Sequence, residues 1–268
     1  MPNFDKEYFN IGYLDALSYK QTFIHEINPG IKLVVTLVFI LIVVSFSKYE
    51  IHRLMPYFVF PVFLISAGEI PAGVILKKIF VVSPFVLFAG MFNPVLDTTI
   101  VYTVSGIPVS GGWISYASII IKFVLTISSA LLLIATTSFP GICFALDKLR
   151  VPKIFVMQLL FIYRYLFVLA EEAMRIVRAR NMRAFGKHGR DIKTYINIIG
   201  TFLIRSIERS ERIYHAICSR GFDGRIRLLR DINLKFTDII FALISVSVFI
   251  ILRMYDIAEL IGDAVLKF

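Results

Sequence analysis

The sequence has little of what catalytic and metal sites are built from. It contains two cysteines, Cys143 and Cys218, and four scattered histidines, with neither a CxxC pair nor a Cys/His ligand spacing. Two such cysteines give no disulfide framework, so structural thiols are expected. No GxxxxGK[ST] phosphate loop is present, so the chain is not expected to bind ATP. No catalytic residue, metal site or bound cofactor is predicted.

Charge is also scarce. Charged residues make up 18% of the 268 positions and hydrophobic residues 57%, and the mean hydropathy is +0.77. Soluble domains contain roughly 45–50% apolar residues. The N-terminus has no apolar stretch followed by a small-residue cleavage site, so no signal peptide is predicted. The composition predicts a polytopic membrane protein.

Five apolar stretches are candidate spans, at 31–47, 54–67, 72–92, 114–139 and 236–254. A helical span needs about 20 apolar residues, so the last three are long enough and the first two are short. Pro56 and Pro61 argue against a straight helix in the second, and a re-entrant hairpin formed by the first two is the alternative. We expect an all-α membrane protein with about five transmembrane helices and a cytoplasmic domain of long crossing helices.

The few charges are unevenly placed. Residues 148–235 contain 19 Lys and Arg but 7 Asp and Glu, a net +12, whereas residues 93–121 contain no Lys or Arg. Basic residues near spans stay in the cytoplasm. The pattern predicts a membrane region over 1–139 with a cytoplasmic N-terminus, a cytoplasmic region over 140–235, and a final span and tail over 236–268. Nucleic-acid binding is a weaker explanation, because the basic region is amphipathic.

Lys122 lies deep inside the fourth apolar stretch. A charge inside a span is by default a candidate for a functional role. Snorkelling to the interface, or packing against another helix, is the alternative that we favour.

Two long helices are predicted within the basic region. One begins at Pro152 and the other near Asp191, and each has about 28–30 residues, or roughly 40–45 Å. The second carries an apolar stripe at three-and-four spacing that could pack on the first. Joined by a short turn, the two helices must run back against or across each other. The stripe consists of Ile192, Tyr195, Ile196, Ile199, Phe202, Leu203, Ser206, Ile207 and Ser210.

Both helices are predicted to end in a similar tripeptide. Ala179-Arg180-Asn181 closes the first and Ser219-Arg220-Gly221 closes the second. A small residue permits close approach to a partner, Arg can bind a carboxylate through two hydrogen bonds, and Gly in the left-handed conformation closes a helix. Ordinary basic C-terminal turns, favoured by the helix dipole, are the alternative.

The paired tripeptides, 40 residues apart on long helices of a membrane protein, resemble the transmembrane T component of energy-coupling factor (ECF) transporters. The stretch from His25 through Asn28 and Pro29 to Lys32 is similar to the H-x-L-D-P-R-x-K element of the cobalt and nickel branch, CbiQ. Gly30 replaces the usual Arg, and Asn28 the usual Asp. The GFDG sequence at 221–224 is also similar to that branch. The resemblance covers nearly the whole chain.

The resemblance implies a non-catalytic coupling subunit. In such transporters two ATP-binding-cassette ATPases, which use ATP and Mg, bind the T component through its coupling helices. A separate membrane S component, CbiM- or NikM-like with a possible small accessory subunit, captures cobalt or nickel. By this analogy Arg180 and Arg220 each enter a groove on one ATPase, and closure of the ATPase pair moves the helices.

Three other functions are alternatives for a membrane protein of this composition. A vitamin-specific T component shares both tripeptides. An intramembrane lipid enzyme would need polar clusters such as HExxH, which the sequence lacks. A self-contained secondary transporter would be expected to have more spans and an internal repeat.

Overall fold

The structure, a computed structural model, describes residues 15, 17–20, 22–96, 100–104, 107–183, 192–222 and 234–255. The regular secondary structure of these residues consists of α-helices, one 3-10 segment and one short β-hairpin. The predicted break and cap at 184–191, and Asp223 and Gly224, lie outside the described residues. The helices are α1 (Phe23–Glu26), α2 (Pro29–Val44), α3 (Ile51–Leu54), α4 (Val59–Ala67), α5 (Ala72–Gly90), α6 (Asn93–Leu96), α7 (Gly111–Thr136), α8 (Phe139–Lys148), α9 (Lys153–Arg183), α10 (Ile192–Ser219) and α11 (Phe236–Met254).

The chain divides into two compact units. One lies within Leu14–Ala145 and Ile232–Phe268, and the other within Leu146–Asp231. We refer to them as the membrane unit and the helix-pair unit. The predicted domain boundaries at 139/140 and 235/236, and the role of each region, stay predictions.

Four helices are long and apolar enough to cross a membrane by length and composition. Three of them, α5, α7 and α11, correspond to predicted spans. The fourth is α9, Lys153–Arg183, which the sequence analysis had assigned to the cytoplasmic region. Its N-terminal part is mostly apolar and contains an 18-residue window that is hydrophobic enough for a span, at the lower end of the required length. The fold is that of an all-α, multi-pass membrane protein.

The first two apolar stretches form shorter helical segments. Helix α2 has 16 residues, roughly 24 Å. The second stretch is divided into α3, a 3-10 segment at Met55–Phe58, and α4. Pro56 stands at the start of the 3-10 segment, where it removes a backbone donor. The expected departure from a straight helix is therefore confirmed.

The membrane unit is held together by an aromatic cluster. The ring of Phe39 on α2 lies 4.7 Å from Phe60 and 5.3 Å from Phe249, measured between centroids. Tyr57 is fully buried beside them, and its hydroxyl donates to the carbonyl of Phe249 at 3.0 Å. The cluster joins α2, the broken second segment and α11.

The turn-rich stretch that precedes α7 forms a small antiparallel hairpin. Strands β1 (Ile100–Val104) and β2 (Ile107–Ser110) pair with Val104 opposite Ile107 and Ile100 opposite Ser110. Trp113 is 61% exposed at the start of α7.

Candidate coupling site

Helices α9 and α10 run antiparallel within the helix-pair unit. The rings of Phe161 and Phe222 lie 6.4 Å apart at one end. In the middle, Glu172 accepts a hydrogen bond from Arg205 at 3.0 Å. At the other end the guanidinium of Arg180 lies 5.4 Å from the ring centre of Tyr195.

This register separates the two candidate arginines. Arg180 lies beside Tyr195 near the start of α10, and Arg220 follows the end of the same helix. Twenty-five residues of helix separate Tyr195 from Arg220, which is roughly 38 Å at 1.5 Å per residue. The two tripeptides therefore lie at opposite ends of the helix-pair unit.

The second tripeptide forms a Schellman cap. The amide of Gly221 donates to the carbonyl of Cys218 at 2.9 Å, and the amide of Phe222 donates to that of Ile217 at 3.3 Å. Gly221 has φ +72°, the left-handed conformation that glycine adopts without a Cβ penalty. Arg220 therefore occupies the C-cap position, and its side chain is exposed.

The first tripeptide differs from this arrangement. Helix α9 does not end at Asn181, as predicted, but continues to Arg183. Asn181 is helical, and it is absent from the non-glycine residues with positive φ, Glu69 and Arg150. Asn181 therefore does not end its helix in the left-handed conformation, as Gly221 does. Arg180 projects from the last turns of a helix instead of from its cap, with Ala179 half-buried next to it.

Arg180 has a neighbour that sequence reasoning missed. Its guanidinium lies over the ring of Tyr195, a residue assigned only to the apolar stripe. A cation above an aromatic face is attracted by the ring quadrupole, which restricts the side chain to fewer orientations. The signal would have been visible in an antiparallel alignment of the two helices, which the sequence alone does not supply.

The apolar stripe of α10 is only partly covered. Ile196, Ile199, Leu203 and Ile207 are 53–61% exposed. The sequence analysis expected that the stripe could pack on α9, but these four of its residues are not buried there. They lie three or four residues apart and form one face. We call these four residues the exposed α10 face.

A second surface of α10 does pack toward α9. A groove of about 300 Å³ lies between the two helices, lined from α9 by residues that include Phe161 and Tyr165, and from α10 by Ser206, Arg209 and Ile213. Ser206 was predicted to lie on the packing stripe and does so. Helix α10 therefore presents different residues to its neighbour and to its surroundings.

The N-terminal element, from His25 to Lys32, contacts the ends of several helices in the membrane unit. We call this group of contacts the N-terminal joint. Asn28 caps α2, because its Oδ1 accepts from the amide of Gly30 at 2.9 Å, and Pro29 occupies the first helical position. Lys32 is buried and donates to the carbonyl of Thr136, the last residue of α7, at 2.7 Å. The element predicted from the resemblance thus connects two helices.

His25 lies beside this joint, in α1. Its Nδ1 is 2.7 Å from Thr22 Oγ1, while its buried Nε2 has no hydrogen-bond partner. Burial lowers the pKa of His25 below its usual 6.5, and the nearby charge of Lys32 lowers it further. Neutral imidazole is therefore favoured in the folded protein.

Two acidic residues complete the joint and were missed as site residues. Asp238 is 1% exposed and accepts from the amides of Asn28 at 3.1 Å and Lys235 at 2.9 Å. Asp15 accepts from the amide of Phe139 at 3.1 Å. An acid three residues after the N-cap Lys235 is a sequence signal for capping α11, but the bond to Asn28 spans 210 positions.

Lys122 faces a helix end. Its Nζ donates to the carbonyl of Val44, the last residue of α2, at 3.4 Å and to that of Phe46, two residues later, at 2.5 Å. Cations stabilise the carbonyl end of a helix. Packing against another helix, the favoured alternative in the sequence analysis, describes this residue.

Across the described residues, no three His, Cys, Asp or Glu side chains come together as metal ligands. His188 lies outside the described residues. The absence of a metal site in this chain stays an expectation.

The fold and the site define a class: a multi-pass helical membrane protein that carries an antiparallel helix pair with a candidate arginine, Arg180 or Arg220, near each end. The chain belongs to the CbiQ cobalt transport protein family, whose model matches residues 20–229. It is accordingly a membrane component of a transporter.

Similar proteins agree with this family. An energy-coupling factor transporter transmembrane protein EcfT of Ruminiclostridium cellulolyticum is 24% identical over 80% of this chain and 85% of its own length. The cobalt transport protein CbiQ of Rhodobacter capsulatus is 29% identical over 36% of this chain and 40% of its own length. An uncharacterized protein of Methanocaldococcus jannaschii is 27% identical over 87% of this chain and 82% of its own length.

Proposed function

We propose that this chain is the energy-coupling membrane subunit of an ECF-type importer of cobalt or nickel. It transmits the movement of two ATP-binding-cassette ATPases to a separate substrate-binding membrane subunit, and it catalyses no reaction itself. The observation that supports this most is the placement of Arg180 and Arg220 at opposite ends of one antiparallel helix pair. Two separated arginines suit two copies of a partner.

Each arginine can form an ion pair with a carboxylate in a groove of a partner. A guanidinium presents a planar set of donors that matches a carboxylate through two hydrogen bonds. An acidic residue in a groove of each ATPase is therefore the expected counterpart. ATP and Mg are bound by the ATPases, and their closure moves the ends of α9 and α10.

The net charge of +12 over residues 148–235 supports a cytoplasmic position for the helix-pair unit. The protein is accordingly proposed to lie in the cytoplasmic (inner) membrane, with its N-terminus inside. Part of the positive charge can complement anionic lipid headgroups or the ATPases themselves.

The exposed α10 face supports a membrane partner. A row of large apolar side chains is costly to leave in water and is characteristic of an interaction surface. The proposed occupant is the substrate-binding S component, CbiM- or NikM-like, with a possible small accessory membrane subunit. Movement of α10 would then be transmitted to that subunit.

Charge reversal at both helix ends tests the proposal. The variant Arg180→Glu with Arg220→Glu should lose capture of the ATPases in a detergent pull-down, because each Glu would face a like charge. Each single variant should lose less of the ATPase capture, since the two arginines bind separate ATPases.

A matched control keeps the same change in net charge. Arg175 and Arg212 are 67% and 70% exposed on the same two helices, one turn before the first tripeptide and two turns before the second. The variant Arg175→Glu with Arg212→Glu should capture the ATPases as the native chain does. Undiminished capture by the Arg180/Arg220 variant would rule out the proposed contact.

The vitamin branch is the second candidate for the substrate, because the tripeptides are shared by both branches. The match to the CbiQ family over residues 20–229 favours cobalt or nickel.

A further inference from the structure

The joint at the N-terminal element also holds both connections to the helix-pair unit. The chain leaves the membrane unit through α8, which begins at Phe139, and returns to it through α11, which begins at Phe236. The amide of Phe139 is bonded to Asp15. Asp238, in the first turn of α11, is bonded to the amide of Asn28. Outgoing and returning segments are therefore both tied to residues that precede α2.

A third tie reinforces the outgoing connection. Lys32, in the first turn of α2, donates to the carbonyl of Thr136, three residues before Phe139. Lys32 is 5% exposed and Asp238 is 1% exposed. Buried charges are strongly unfavourable when they lose their hydrogen-bond partners. These ties consequently resist separation more than contacts between exposed side chains would.

The placement has a mechanical consequence. Helices α8 and α11 are each hydrogen-bonded at their start inside the membrane unit. Packed helices shift as whole elements between discrete arrangements. A displacement carried into α8 and α11 would therefore reach the start of α2 and, through Lys32, the end of α7.

We infer that Asp15, Lys32 and Asp238 are positioning residues. They hold α8 and α11, the two helices through which the chain leaves and re-enters the membrane unit, to α2 and the residues before it, and thereby transmit movement of the helix pair to the membrane helices. This inference rests on the proposed function. It assigns to the N-terminal element a role in coupling, distinct from substrate binding and from contact with the ATPases.

The test uses the whole transporter, reconstituted in liposomes with its ATPases and substrate-binding subunit. Asp238→Asn replaces one of two carboxylate acceptors by an amide donor, and Asp15→Ala removes the acceptor for Phe139. Both variants should capture the ATPases and hydrolyse ATP within about twofold of the native rate. Metal transported per ATP hydrolysed should fall at least about fivefold, because movement is lost at the joint.

The ratio of transport to hydrolysis separates coupling from folding. A merely structural role would lower the amount of assembled complex, and transport and hydrolysis would fall together. Asp147→Asn, an exposed acid on α8, is the matched control and should leave the ratio unchanged. Lys32→Met provides a further variant if Asp238→Asn does not fold.

Amide hydrogen exchange of the purified chain provides a second readout. Exchange should accelerate at Asn28 in Asp238→Asn and at Phe139 in Asp15→Ala. Native transport per ATP in folded variants would overturn the inference while leaving the proposed function intact. Failure of the native chain to capture any ATPase would overturn both.

Discussion

Arg180 and Arg220 carry the same side chain in two different settings. Arg220 occupies the C-cap position of a Schellman motif, directly before Gly221 in the left-handed conformation, whereas Arg180 lies within a helix and over an aromatic ring. Arg180 is therefore more restricted before it meets a partner. A restricted side chain loses less conformational entropy on binding.

Removal of the aromatic ring tests this difference. Tyr195→Ala should weaken ATPase binding about 2–5-fold, because an exposed cation–π contact contributes about 0.5–1 kcal/mol. The measurement is an affinity titration in detergent. Tyr214→Ala, an exposed tyrosine on the same helix, should leave the affinity unchanged. Equal losses in the two variants would contradict a role for Tyr195 in orienting Arg180.

His25 predicts a pH dependence of stability. Its pKa is lowered in the folded protein by burial and then by Lys32, so the unfolded chain binds a proton more readily. The stabilisation is fully present above the unfolded value of about 6.5 and is lost as pH falls from there toward the folded pKa. The thermal midpoint in detergent should therefore decrease between pH 7 and pH 5.

Substitution isolates this contribution. His25→Gln should flatten the dependence relative to the native chain, whereas His215→Gln, at an exposed position, should retain it. Parallel curves for native protein and His25→Gln would show that another group is responsible.

At the scale of elements, α5 and α7 approach closely at a glycine. A Cβ on Gly90 would lie 2.8 and 2.9 Å from ring atoms of Tyr116, closer than real Cβ contacts allow. The absence of a side chain at Gly90 therefore sets how near the two helices lie. Small residues serve this purpose in membrane helix packing.

Gly90→Ala should destabilise the protein by about 1–3 kcal/mol, because the added methyl group forces the tyrosine or the helix to move. Gly73→Ala is the matched control on the same helix, since nothing lies within 4 Å of its Cβ position. The control should be neutral or gain up to about 1 kcal/mol of helix propensity. Thermal unfolding in detergent measures both, and equal stability of the two variants would exclude a tight contact.

Two cations meet at the end of α2. Lys122 from α7 donates to the carbonyls of Phe46 and Val44. Arg253 from α11 lies over the ring of Phe46 and donates to Ser45 Oγ at 3.2 Å. The sequence showed a charge inside a span but could not show its partner, because residues 76–78 positions apart meet only in the packed unit.

At the scale of the whole molecule, the membrane unit and the helix-pair unit divide the proposed work. The first contains the aromatic cluster and the N-terminal joint, and the second carries both arginines. A subunit that transmits movement needs a stable body and an accessible surface. Neither requires a substrate pocket in this chain.

The substrate is tested on the assembled transporter. Co-purification of the chain with its membrane partners, followed by elemental analysis, should detect bound cobalt or nickel in the complex and not in the isolated chain. The metal is expected to be bound by the partner subunit that captures it. Recovery of a vitamin-binding subunit in place of a metal-binding one would assign the chain to the vitamin branch.

The sequence by itself determined the helical membrane class, three of the four long apolar helices, the basic region and the candidate arginines. Those properties follow from composition, hydrophobic length and local spacing, which act between near neighbours in the chain. Only the tertiary structure decided the extension of α9 to Arg183, the exposure of the α10 face, and the bond between Asp238 and Asn28. These depend on which surfaces meet after folding, and a buried acid 210 positions from its partner leaves no local pattern.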